Sequence, residues 1–98
     1  MHTIEKRSVI QPLMHLGENE KEVTITVDLP HAEKKSIKVK ADRRRVEIFA
    51  ECRHFGERFY AFADLPSSIN PKKSKARFRQ GILEITLPKE RGVEIKIE

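Results

Sequence analysis

Val23-Thr24-Ile25-Thr26-Val27-Asp28-Leu29-Pro30 is the stretch that decides the fold. Side chains alternate from face to face along an extended chain, so Val23, Ile25, Val27 and Leu29 share one side, and Thr24, Thr26 and Asp28 share the other. β-Branched residues at period two favour a strand with one buried face. Pro30 has no N–H to give a ladder and ends the run.

The same period recurs outward from this run. Upstream, residues 9–16 are weakly apolar and broken by Pro12, which suits an edge strand or a strand start. Gly17-Glu18-Asn19-Glu20 reads as a polar turn. Downstream, residues 31–35 form a polar turn with room for one turn of helix. Ile37 and Val39 then alternate with Lys38 and Lys40, and Asp42-Arg43-Arg44 reverses the chain. Val46, Ile48, Ala50 and Cys52 share a face of the next strand, which a turn at His54-Phe55-Gly56 closes. Residues 58–65 are apolar on both faces: Phe59, Ala61, Ala63 and Leu65 on one, Tyr60 and Phe62 on the other. That pattern predicts burial on one side and packing or association on the other.

Residues 66–73 form a loop with two prolines. Ala76 and Phe78 lie on a short strand, Gln80-Gly81 turns, and 82–87 make the last core strand before Pro88. After a polar link, Val93, Ile95 and Ile97 alternate once more with charged residues. No window longer than one or two turns keeps a helical apolar period. Seven or eight short strands separated by regular turns predict an all-β, immunoglobulin-like antiparallel sandwich of two sheets.

A chain of 98 residues fits one domain with a modest core, so partner chains can add to its burial. The net charge is +5, but acidic and basic residues are interspersed, so nucleic acid is not the expected partner. The runs Lys34-Lys35, Arg43-Arg44-Arg45 and Lys72-Lys73 read as solvated turns. The single cysteine, Cys52, excludes an internal disulfide and points to a buried inert thiol. No signal-peptide core or membrane-spanning stretch is present, and the expected location is the cytoplasm.

Taken in order, several short segments resemble the small heat-shock protein (Hsp20, α-crystallin domain) family. Val27-Asp28-Leu29-Pro30 followed by Ser36-Ile37-Lys38-Val39 looks like the family's strand, "DLPG" turn and next strand, with His31 where glycine is usual. Val46-Glu47-Ile48 fits its following strand, and Leu65-Pro66 with Asn70-Pro71 looks like its "LP" segment. Ala76-Arg77-Phe78-Arg79-Gln80-Gly81-Ile82-Leu83 resembles the A-x-x-x-n-G-V-L signature, and Ile95-Lys96-Ile97 the I-x-I tail motif.

This resemblance implies an arm at residues 1–10, a sandwich at 11–88 and a tail at 89–98. It implies an ATP-independent holdase that binds non-native protein and assembles into homodimers or larger homo-oligomers, with no membrane partner. The tail side chains Val93, Ile95 and Ile97 would dock into an edge groove beside Ile37, Val39, Ala76 and Phe78. Tyr60 and Phe62 would form a dimer or client face. Many relatives carry a long loop with a strand that swaps between subunits. Here only residues 53–57 are available, too few for the crossing, which suggests an archaeal-type member with a shortened dimerisation loop. An adaptor or co-chaperone domain of the p23/CS type shares the sandwich and is the alternative, favoured by the same short link.

Neither enzyme nor cofactor is expected. His2, His15, His31 and His54 lack metal-ligand spacing. The chain has no glycine-rich phosphate loop, nucleophile motif or paired acid and base.

Overall fold

The computed structural model describes residues 9–53, 56–91 and 96–98. Eight strands run in chain order: β1 (Val9–Ile10), β2 (Met14–Glu18), β3 (Glu22–Asp28), β4 (Lys38–Ala41), β5 (Arg45–Glu51), β6 (Arg58–Asp64), β7 (Lys75–Arg79) and β8 (Ile82–Pro88). They build two four-stranded sheets, one ordered β1-β6-β5-β4 and the other β2-β3-β8-β7. All neighbours are antiparallel except β1, which runs parallel to β6. Two single 3₁₀ turns, Lys34–Ser36 and Pro71–Lys73, complete the regular structure among the described residues.

The core is the inward set that period two predicts. Val23, Ile25, Val27 and Leu29 from β3 and its end meet Val46 and Ile48 from β5, and Leu83, Ile85 and Leu87 from β8. Phe59, Ala61, Ala63 and Leu65 close the other sheet's inner face. Burying each large aliphatic side chain contributes about 1.5–3 kcal/mol, which opposes the entropy lost in ordering the strands. Cys52 is a free thiol, half-buried against this cluster.

The turns follow side-chain chemistry. Asn19 Oδ1 accepts the N–H groups of Lys21 and Glu22 at 2.8 and 2.9 Å and turns β2 into β3. The polar turn read at residues 17–20 therefore begins later than expected, because Gly17 and Glu18 still pair with Thr24 and Val23. Asp42 Oδ1 accepts from Arg44 and Arg45 N–H, both at 2.8 Å, between β4 and β5. Asn70 Oδ1 accepts from Lys72 N–H at 3.1 Å and starts the second 3₁₀ turn, a local order that the two prolines of this loop do not reveal.

His31 sits at φ +62°, in the left-handed region open to histidine at modest cost, and its carbonyl accepts Arg53 N–H at 2.9 Å.

Residues 9–16 do not form one strand. Pro12 is buried at the break, Val9–Ile10 joins one sheet and Met14–Glu18 the other, so the chain wraps one flank of the sandwich. That wrap covers the outer edge of β6 only at Arg58 and Phe59. The opposite flank, where β4 and β7 are the two edge strands, has no covering strand among the described residues.

Candidate functional site: an edge groove and an aromatic face

The uncovered flank contains an open cavity of about 330 Å³. Val39 and Ala41 of β4 form one wall, and Lys75 and Ala76 of β7 form the other. Ile85 and Leu87 of β8 make the floor, and Pro71 and Ser74 close one end. Ala41 and Ala76 contribute only methyl groups to its walls. Behind that floor lies the core, since Ile85 and Leu87 are buried. Both flanking strands are edges, so each has a row of backbone groups available to a visiting extended segment.

Of the four groove residues expected from the sequence, Val39 and Ala76 line this cavity. Ile37 and Phe78 are half-buried and pack against the core instead of lining it. No local pattern marks Ala41, Ile85 and Leu87 as groove residues. Period two places Ile85 and Leu87 in a core strand, and only the pairing of sheets turns that core into a floor. Val93 and Ile95 lie outside the described residues. Ile97 is 93% exposed and is not among the residues lining the cavity of its own chain.

A second surface lies on the outer face of β4, β5 and β6. Phe49 stands directly opposite Tyr60 in the ladder, with ring centroids 5.1 Å apart. Phe62 follows at 6.5 Å from Tyr60 and is 47% exposed. Cations cover both ends of this aromatic row: Lys40 Nζ lies 5.7 Å from the Phe49 ring centre, and the Arg45 guanidinium 4.7 Å from that of Phe62. Arg45 Nε also donates to Asp64 Oδ1 at 2.8 Å, and that hydrogen bond raises the arginine pKa above its ordinary value. The Tyr60 hydroxyl donates to Glu47 Oε2 at 2.7 Å. An open depression of about 740 Å³ spreads over this face and reaches Val9 on β1. Tyr60 and Phe62 thus stand outward together, as their alternation requires, with Phe49 added from β5.

No group of three or more His, Cys, Asp or Glu side chains among the described residues is placed to hold a metal ion.

Residues 17–89 match the CS domain. The chain belongs to the CS-domain family. This CS-domain protein is also 31% identical over 102 residues to small heat shock protein C2 of Rickettsia felis, with 89% of the chain aligned. It spans 66% of that relative's length. Among solved structures it superposes on heat shock protein 16.0 from Schizosaccharomyces pombe with a TM-score of 0.76 at 22% identity, over 91% of this chain and 76% of that one. A small heat-shock protein from Xylella fastidiosa matches at TM-score 0.72 and 22% identity, over 89% of this chain and 93% of that one. At such identities the superpositions show a common sandwich fold.

Proposed function

We propose that the chain is an ATP-independent holdase that binds non-native protein and keeps it from aggregating, without enzymatic turnover. The observation that carries this reading is the open cavity, walled by Val39, Ala41 and Ala76, between two strand edges that no described strand covers. An extended segment can pair with either edge and lay alternate side chains against Val39, Ala41 and Ala76 at the mouth of the cavity. Unfolding proteins expose such segments in quantity. Homology to a small heat-shock protein supports the same assignment.

In this reading, Val93, Ile95 and Ile97 of one copy dock at Val39 and Ala76 of another, with Ile37 and Phe78 bracing the walls from the core side. Two isoleucines contribute on the order of a few kcal/mol when buried, less the cost of ordering the segment, so the contact is reversible. Clients then compete with the tail for the same slot, while the Tyr60 and Phe62 face offers a second apolar surface.

Heat-induced aggregation of a model client, followed by light scattering, tests the proposal. Suppression at equimolar to several-fold excess is expected, without nucleotide. Normal aggregation at several-fold excess would refute it.

The CS-domain match favours a second reading, an adaptor or co-chaperone domain that binds a folded partner. The short 53–57 link agrees with it. Sizing discriminates the two: a monomer unaffected by removal of residues 93–98 would favour the adaptor, and a tail-dependent assembly the holdase.

A further inference from the structure

The two edge strands that frame the groove differ from every other strand in charge. β4 reads Lys-Val-Lys-Ala and β7 reads Lys-Ala-Arg-Phe-Arg, with no carboxylate on either. Lys38 and Lys40 alternate with Val39 and Ala41 along one lip, on the outer side of β4 beside Phe49 and not inside the cavity. Lys75, Arg77 and Arg79 alternate with Ala76 and Phe78 along the other. These five cations equal the net charge of the whole chain, +5, so the remaining acidic and basic residues balance. Lys40 sits over Phe49, and none of the five forms a salt bridge with a described residue. Glu84 and Glu47 stand opposite Arg77 and Lys40 in the ladders and are the acidic groups nearest in register.

Cationic lips have two consequences. Like charge keeps the edges of two copies from pairing with each other, a device common on exposed edges. It also discriminates between visiting strands, because opposite charges across a ladder attract and like charges repel. A strand whose apolar side chains face the cavity must put its alternate residues beside the cations. In the tail, the residues alternating with Val93, Ile95 and Ile97 are Glu94, Lys96 and Glu98.

We propose that the lips formed by Lys38, Lys40, Lys75, Arg77 and Arg79 select extended apolar segments with carboxylates at the alternate positions, and that the 93–98 segment of a second copy is their occupant. This rests on the docking reading above and adds what decides which segment docks. Glu94 and Glu98 then hold the tail on the lips, and Lys96 weakens it. Ionic strength regulates the contact, since screening shortens from about 10 Å at 0.1 M salt to about 3 Å at 1 M.

Fluorescence anisotropy with labelled peptides tests it. The receiver is the full chain carrying Ile95→Gly and Ile97→Gly, which leaves its grooves unoccupied by its own tails. The probes are V-E-I-K-I-E, V-E-I-E-I-E, V-K-I-K-I-K and V-E-G-K-G-E. At low salt V-E-I-E-I-E is expected to bind tightest, V-E-I-K-I-E next, and V-K-I-K-I-K about tenfold weaker than V-E-I-K-I-E. The differences should collapse at 1 M salt. Equal binding of V-E-I-K-I-E and V-K-I-K-I-K at low salt would overturn charge selection and leave the docking intact. No binding of V-E-I-K-I-E, or equal binding of V-E-G-K-G-E, would overturn the docking itself. In a second receiver, Lys75→Glu with Arg77→Glu should weaken the preference, and an unchanged preference would also count against the lips.

Discussion

Tyr60 and Glu47 are joined diagonally across the β5–β6 ladder, hydroxyl to carboxylate at 2.7 Å. The bond ties the aromatic row to the charged residues around it. Because the hydroxyl must keep its proton to donate, the bond raises the Tyr60 pKa above 10.0, with desolvation and the nearby Glu47 charge adding to the effect. Tyr60 is the one tyrosine of the chain, so its ionisation is read without interference. Absorbance at 295 nm should show a single transition above pH 10. Glu47→Gln should move it down, since the amide can accept the hydrogen bond but carries no charge. The linked stability is fully present below the unfolded value and is lost as pH rises through the folded one. A wild-type transition at or below pH 10 would rule out this bond in solution.

Two carboxylates predict the behaviour in acid. Glu18 Oε2 accepts from Lys89 Nζ at 2.9 Å and Ser67 Oγ at 2.8 Å, and these bonds lower its pKa. Asp42 is lowered by the backbone N–H groups of Arg44 and Arg45. A group with a depressed folded pKa binds fewer protons in the native state than in the unfolded one. Its contribution is therefore present above the unfolded values, 4.5 for Glu18 and 3.8 for Asp42, and is lost as pH falls through the folded values. Urea midpoints should decline on acidification below about pH 5. The double variant Glu18→Gln, Asp42→Asn should decline less steeply, since an amide oxygen in place of the Asp42 carboxylate can still accept the two N–H groups and close the turn. Identical slopes for the two proteins would show that neither group is linked to folding.

Local alternation made most of the fold legible. The face assignments of residues 23–29, 46–52 and 58–65 need only period two, and that period is written in adjacent residues. What was not legible depends on which strand lies over which. Nothing local to Ala41 or Ala76 says that their methyl groups stand across a gap, and nothing local to Ile85 and Leu87 says that their burial ends at a cavity. The division of residues 9–16 between two sheets is a tertiary choice of the same kind, with Pro12 as the only local clue. Cation alternation on β4 and β7 was visible as letters, but its meaning needed both strands to be edges of one groove.

Ile69 shows the same limit in a loop. Nothing in its neighbours between Pro66 and Pro71 marks it as a core residue, yet it is fully buried, bridges Lys89, and donates its N–H to the Arg43 carbonyl at 2.9 Å. Ile69→Ala should destabilise the domain by about 2–5 kcal/mol, as much as a core strand residue, through lost burial and the cavity left behind. Leu13→Ala, at a side chain 71% exposed, should change stability by no more than about 0.5 kcal/mol. Chemical denaturation of both variants checks the pair. Comparable small effects would mean that the 66–73 loop does not close the core.

The β7–β8 hairpin turns through Gln80 and Gly81 between the paired residues Arg79 and Ile82. Both turn residues have positive φ, 51° and 77°, the pattern of a two-residue type I′ turn that matches strand twist. A Cβ at Gly81 would find its nearest neighbours, the Leu29 carbonyl oxygen and Pro30 Cα, at 3.8 Å, which is ordinary contact. Space is therefore not the constraint, and the cost of Gly81→Ala is the left-handed backbone alone, about 1–2 kcal/mol. Gln80 already bears such a cost, so Gln80→Gly should gain back part of it, and Gln80→Asn should do the same at less entropic expense in the unfolded chain. Thermal unfolding of the three single variants should place Gly81→Ala below the parent and Gln80→Asn above it. A lower midpoint for Gln80→Asn would mean that the glutamine side chain supplies a contact outweighing its backbone strain.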